Sequence, residues 1–242
     1  MQNSLNLIKP KWPAPPNIRA VQSTRQGGVS SAPYNSLNLG EHVNDLPLSV
    51  AKNRQLLSQY FPSEPLWLKQ THGITVASHA INCAPQADAS VSHARGEVCV
   101  VMTADCLPVL LCDYKGTVVA AVHAGWRGLY DGVIEAAVRA MIVPADGIMA
   151  WLGPAIGPQS FEVGAEVRAA FIEKDSQAIT AFKAKGEKYL ADIYQLARIR
   201  LNKLGISQIY GGEYCTVLNK ELFFSYRRDG VTGRMGAFIW LE

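Results

Sequence analysis

The chain has 242 residues, 48% of them hydrophobic and 18% charged, with a formal net charge of +3. That length and composition support a sizeable buried core, and the weak, scattered charge argues against nucleic acid or an anionic membrane surface as a partner. No run approaches the roughly 18 apolar residues of a membrane span, and the start MQNSLNLIKPKWPAPP lacks the charged and apolar regions of a signal peptide. A cytoplasmic protein acting on small molecules is expected.

The five cysteines, Cys83, Cys99, Cys106, Cys112 and Cys215, are odd in number and form no C-x-x-C pair. Reduced thiols are therefore expected, most of them buried. In chain order, residues 1–17 read as an extended, proline-stiffened lead-in, followed by a first strand over Ile18–Ser23. The segment STRQGGVSSAPYNSLNLGEHVNDLP is dense in Gly, Ser, Asn and Pro and predicts a long ordered loop, a length more often functional than idle. A helix is expected from Ser49 to about Tyr60.

Two short extended runs then flank a turn at Thr71-His72-Gly73, and ADASVS, EVCVVMT, LPVLLCD and TVVAAVHA continue a strand pattern, the last two joined by the turn DYKGT. After GWRG the period lengthens to about 3.6, with Val133, Ile134, Ala137 and Met141 on one helical face. IMAWLG predicts a further strand, and helices are expected over Glu162 to Glu173 and Tyr189 to Leu204, the latter stopped by Gly205. ISQIYGG, LFFSYRRD and RMGAFIWL read as extended. Strands come in runs as well as in alternation with helices, and no linker divides the chain, so an α+β fold over residues 1–242 is predicted.

Three residues stand out chemically. Cys106 falls in a break between two apolar strands, His123 ends a strand beside a glycine-flanked turn, and His72 lies on a tight turn. Two imidazoles and a thiolate are the donor set of a three-ligand zinc site that keeps a fourth position open. The separations, 34 residues from His72 to Cys106 and 17 from there to His123, match no compact zinc finger. Spacing alone leaves a buried thiol and ordinary polar positions as the competing reading. Arg127, in the turn that opens a helix near Gly128 to Asp131, is a candidate phosphate holder or a surface ion-pair residue, and Arg25 beside Gly27 and Gly28 is a second candidate. Trp126 reads as either a stacking platform or packing, His42 as a cover for the site, and Tyr226, Arg227 and Arg228 as substrate contacts. His79 and His93 look solvated.

The blocks KQTHG, TADCLPVLL, HAGWRG, GPAIGPQSFEVG and SYRRDGVTGR resemble, in order, the signature blocks of the laccase-domain or polyphenol oxidase family, also described as purine nucleoside phosphorylases and as peptidoglycan editing factor. The resemblance runs from STRQGGVS to RMGAFIW. It implies a single-domain four-layer α/β/β/α sandwich, similar to bacterial toxin cysteine deamidases, with His72, Cys106 and His123 as metal ligands and catalytic residues. It also implies a zinc-dependent phosphorylase of adenosine, inosine and methylthioadenosine with adenosine deaminase activity. A copper-dependent polyphenol oxidase, and a Cys106–His123 amide hydrolase that edits a peptidoglycan precursor, are the alternatives it carries. Many members carry cysteine in the GPAIGP block where this chain has Gln159.

Copper (Cu2+) competes with Zn2+ for such a donor set, but a multicopper laccase needs an additional histidine-rich cluster, and five histidines do not supply one. For the proton transfer that deamination requires, Asp105, Glu162 and the thiol itself are the candidates.

Overall fold

The computed structural model describes residues 5–78 and 84–242. The readings of His79 as solvated and of Cys83 as a reduced thiol lie outside the described residues. In chain order the strands are β1 (Leu7–Ile8), β2 (Ile18–Ser23), β3 (Val76–Ser78), β4 (Ala89–Ser92), β5 (Val98–Thr103), β6 (Leu107–Asp113), β7 (Val119–Ala124), β8 (Ile148–Leu152), β9 (Glu162–Val163), β10 (Phe182–Lys185), β11 (Lys188–Ala191), β12 (Gln208–Gly211) and β13 (Met235–Leu241). The α-helices are α1 (Pro47–Ser58), α2 (Trp126–Asp131), α3 (Val133–Met141), α4 (Ala165–Lys174), α5 (Ile193–Lys203) and α6 (Tyr226–Asp229). The mixture is α+β, as the sequence predicts. Among the described residues no helix is long and apolar enough to cross a membrane.

A four-stranded sheet has the order β1-β2-β13-β5, a six-stranded sheet the order β12-β8-β6-β7-β4-β3, and a small sheet the order β10-β11-β9. Every residue of β6 and β7 is buried, so both faces of that sheet are covered, which explains their unbroken apolar runs. On one face Leu110, Cys112, Val119, Ala121 and Trp151 meet Cys99, Val101, Ala237 and Ile239 of the four-stranded sheet. On the other face Leu107, Val109, Leu111, Ala120 and Val122 pack on Val133, Ile134, Ala137 and Met141 of α3, with Ile193, Leu196, Ala197 and Leu201 of α5. The period of two along β5 and β13 turns the alternate residues Val98, Val100, Phe238 and Trp240 to a third cluster, shared with Leu37 and Leu39 of the long loop and Leu57 of α1.

Register places the site. β6 and β7 pair antiparallel with Pro108 opposite His123, so the start of β6 and the end of β7 share one edge and bring Cys106 and His123 together. β4 pairs with β7 through Ala89 and Val122, which sets Asp88 beside His123, and the His123 N–H donates to the Asp88 carbonyl at 2.7 Å.

Four expectations change. Glu162 and Val163 are extended because they pair with Leu190 and Tyr189, and the helix starts only after Gly164. Tyr189 accordingly belongs to β11, and α5 begins after Asp192, whose carboxylate caps the Gln195 N–H at 3.0 Å. LFFSYRRD is not extended throughout, since Ser225 caps the Arg228 N–H and opens α6. The helix after GWRG starts earlier than read: α2 begins at Trp126, and Gly132, at φ 107°, separates it from α3.

Candidate metal centre

His72, Cys106 and His123 converge: one ligand atom from each lies within 4.8 Å of the others. Cys106 Sγ is 3.6 Å from His72 Nε2. The His72 and His123 rings meet edge to face with centroids 4.8 Å apart. His123 is buried at 3% exposure, Cys106 is half-buried and His72 is exposed, so the group opens on one side only. Among the described residues it is the one cluster of His, Cys, Asp and Glu side chains of this kind.

Local structure enforces the convergence. His72 sits in the left-handed region at φ 63°, held there because the N–H groups of Thr71, His72 and Gly73 all donate to the Asp88 carboxylate, at 3.1, 2.8 and 2.8 Å. The same carboxylate takes the hydrogen bond of His123 Nδ1 at 2.8 Å. Asp105, at φ 92°, bends the chain ahead of Cys106 and is pinned by the Thr216 hydroxyl at 2.5 Å and the Arg227 N–H at 2.6 Å. A non-glycine residue in that conformation needs such support. Gly125 leaves room: a Cβ there would lie 2.7 Å from His72 Cδ2 and 3.1 Å from Cys106 Sγ.

The electrostatics follow from this packing. Burial pushes the Asp88 carboxyl up, but the His123 hydrogen bond and the Gly73 and Thr71 N–H groups outweigh it and hold the pKa at about 2. Asp88 is thus an ionised acceptor, which places the proton of His123 on Nδ1 and leaves Nε2 for the cavity. Burial also raises the Cys106 thiol, yet the charges and hydrogen bonds of His123 and His72 win and lower it below the usual thiol value. His123 moves up in turn, its burial overcome by the charge of Cys106 and by Asp88. Cys99 and Cys112, with no such partner, are driven up to about 12 by burial.

Two cavities meet at this point. One of about 400 Å³ is lined by the triad with His42, Gln70, Met102, Thr103, Ala104, Tyr226 and Arg234. The other, about 270 Å³, shares Ala104, Cys106 and Tyr226 and adds Trp126, Arg127, Phe161 and Arg227 among its walls. His42 therefore reaches the site from the long loop, and Tyr226 and Arg227 reach it from α6. Arg127 lies on the second cavity, exposed, its guanidinium 4.5 Å from the Trp126 ring centroid. Trp126 is half-buried, packed against the apolar core while also lining the second cavity, so its position is compatible with both of its sequence readings.

Arg25 is not brought to the triad. It lines a separate cavity with Arg228 and Lys220, and its guanidinium donates to the carbonyls of Asn35 and Lys220, because the turn around Gly27 folds back on residues 35–37. Arg228 is likewise occupied, by the carbonyls of Thr216, Val217 and Phe223 and by Asp229. Both oxygens of Asp105 are bonded, and Glu162 is paired with Lys185 and Lys188, so neither candidate for proton transfer has a free carboxylate at the site. His93 is exposed. Asp88, Gln70 and Arg234 are site residues that sequence reasoning missed. Arg234 closes the SYRRDGVTGR block, which marked its neighbourhood, whereas Asp88 carries no local signal.

The donors suit a divalent ion. Tetrahedral zinc with one sulfur and two imidazole ligands separates its donors by about 3.3–3.7 Å. The Cys106 Sγ–His72 Nε2 distance of 3.6 Å lies in that range, while the set as a whole spreads to 4.8 Å and must close on binding. A carboxylate behind one histidine is the usual support of such a ligand.

The chain is 55% identical over 239 residues to a protein of Escherichia coli named purine nucleoside phosphorylase YfiH, covering 97% of this chain and 98% of the relative. A purine nucleoside phosphorylase of Haemophilus influenzae is 50% identical over 244 residues, covering 98% and 100%. Among solved structures, a Neisseria meningitidis protein matches with a TM-score of 0.95 at 49% identity, covering 98% of this chain and 99% of that one. YlmD from Geobacillus stearothermophilus matches with a TM-score of 0.86 at 30% identity, covering 94% and 93%. The family described as multi-copper polyphenol oxidoreductase laccase is matched over residues 19–242, and the chain belongs to that family.

Proposed function

We propose that this protein is a zinc-dependent purine nucleoside phosphorylase, acting on adenosine, inosine and methylthioadenosine, with adenosine deaminase activity at the same site. The observation that carries the reading is the meeting of His72, Cys106 and His123 around one point, with Asp88 behind both histidines. The relatives named purine nucleoside phosphorylase supply the reaction class. Copper is the competing metal for these donors, but the single three-donor cluster among the described residues gives no second centre for laccase chemistry.

When bound, zinc supplies a Lewis acid and lowers the pKa of water toward about 7. The protein does the rest. Asp88 fixes the tautomer and tilt of His123, and the turn at His72 is locked by the same carboxylate. Trp126 and Phe161 offer flat apolar walls for a purine, and Arg127 and Arg227 are substrate contacts on that side. Cys106 and Tyr226 stand between the two cavities, where the glycosidic bond of a nucleoside spanning both is placed. Arg25 holds the 25–36 turn and reaches no substrate in this reading.

The three apolar clusters are read as a four-layer α/β/β/α sandwich, the arrangement implied by the resemblance to toxin cysteine deamidases, with residues 1–242 as one domain behind the lead-in 1–17. The free thiols at Cys99, Cys106, Cys112 and Cys215 support a cytoplasmic setting.

Metal-analysed protein incubated with inosine and phosphate is expected to release hypoxanthine, and with adenosine to release ammonia; Cys106→Ala is expected to do neither. Absence of free base from zinc-loaded wild type would overturn the phosphorylase reading. The lowered pKa of the Cys106 thiol beside two imidazoles favours one alternative, a thiol amide hydrolase acting on a cell-wall precursor. A chelator abolishes the first activity and spares the second.

A further inference from the structure

The cavity holding the triad is more basic than metal binding requires. Its walls carry His42, His72, His123 and Arg234, and no carboxylate. Arg234 is half-buried, and its guanidinium is partly clamped: Nη1 donates to the carbonyls of Thr232 and Gly233, both at 3.0 Å, while the Arg234 backbone N–H is tied to Asn38 Oδ1 at 2.9 Å. Among the described residues Nε and Nη2 have no acceptor and no carboxylate forms an ion pair with the group. The nearby acid Asp105 is already taken by Thr216 and Arg227. The stem passes over Gly40, where a Cβ would lie 2.8 Å from Arg234 Cγ, so the long loop leaves a slot for this side chain. A fixed guanidinium with an open N–H edge, in a cavity whose walls carry no carboxylate, is a receptor for a tetrahedral oxyanion once the Cys106 thiolate is taken up by a metal.

We propose that Arg234, with His42 beside it, forms the anion subsite of the cavity and takes inorganic phosphate. The proposal rests on the phosphorylase reading for the identity of the anion, and it moves the phosphate away from Arg127. Arg127 is exposed, lies over the Trp126 ring, and lines the other cavity together with the apolar residues Ile156, Phe161 and Ile193. The planar base then occupies the aromatic cavity and phosphate the basic one, on opposite sides of Cys106 and Tyr226. In the reaction, an oxygen of hydrogen phosphate bonds to the anomeric carbon as the carbon–nitrogen bond breaks. The electron pair leaves on the base nitrogen, and the proton of hydrogen phosphate ends on the base.

Titration calorimetry with inorganic phosphate on zinc-loaded protein tests this without turnover. Arg234→Gln is expected to weaken phosphate at least about tenfold and Arg234→Lys to weaken it less, with zinc content unchanged and the protein still folded, whereas Arg127→Gln keeps phosphate affinity within about twofold. In turnover, Arg234→Gln raises KM for phosphate and leaves KM for inosine within about twofold. Unchanged phosphate affinity in Arg234→Gln overturns the proposal, as does a wild type that binds adenosine monophosphate but not free phosphate. Arginine-dependent phosphate binding in a protein that releases no base upholds the subsite while the phosphorylase reading falls.

Discussion

Asp88 accepts the Nδ1–H of His123 at 2.8 Å and, through the same oxygen, the backbone N–H of His72 at 2.8 Å. One fully buried carboxylate thus sets the ring orientation of one candidate ligand and the turn that presents the other. Asp88→Asn keeps the shape but removes the charge and half of the acceptor capacity. It is expected to weaken zinc about 10- to 100-fold, read by competition with a chromophoric chelator. Asp88→Ala is expected to cost about 3–5 kcal/mol in denaturant unfolding, because it leaves the N–H groups of residues 71–73 without their acceptor.

The depressed pKa of Asp88, about 2, makes an acid-stability prediction. The folded state favours the ionised form, so this contribution is fully present above the unfolded value near 4 and is lost as the pH falls from about 4 to about 2. Its size is about 2 kcal/mol. Urea unfolding of wild type and Asp88→Asn is expected to show a stability difference that shrinks across this window. A difference constant from pH 5 to pH 2 would contradict the assignment.

Much of this architecture is legible in the chain itself. β2, β5, β6, β7, β8 and β13 are apolar or alternating runs bounded by turn residues, and the helical face Val133, Ile134, Ala137 and Met141 is fully buried as its spacing predicts. The β10–β11 hairpin escaped because FKAKGEKYLA is mostly exposed and lysine-rich, with no buried face to impose a period. The helix read from Tyr189 ran through β11 because the apolar Tyr189, Leu190 and Ala191 extend the pattern of α5, and Asp192, the cap, was the overlooked stop signal. The triad was visible as residue types, but the carboxylate that orients it was not. Asp88 is the second residue of the unremarkable run ADASVS, just ahead of β4, and its role arises from a turn 15 to 17 residues earlier folding onto it.

Cysteine reactivity separates the thiols. In metal-free protein Cys106, acidified by His123 and His72, is expected to react with iodoacetamide at neutral pH, while Cys99 and Cys112, pushed up to about 12 by burial, stay unmodified. Zinc is expected to protect Cys106. Peptide mass spectrometry with and without zinc reads both effects, and modification of Cys99 ahead of Cys106 would contradict them.

Gly125 tests the geometry of the site with a single methyl group. Gly125→Ala forces its Cβ against His72 Cδ2, at 2.7 Å in the present arrangement, so the His72 turn must shift. The variant is expected to fold, losing about 1–3 kcal/mol, and to lose zinc affinity along with turnover. Zinc titration beside thermal unfolding checks this, and wild-type affinity would show that His72 can move without leaving the ion.

X-ray absorption at the zinc edge tests the centre most directly. Protein loaded with one zinc per chain is expected to show one sulfur at about 2.3 Å and two imidazole nitrogens at about 2.0–2.1 Å, with a lighter exchangeable donor completing the shell. The sulfur scattering should vanish in Cys106→Ala. A wild-type shell without sulfur, or a chain that holds no zinc at equimolar loading, would contradict the account.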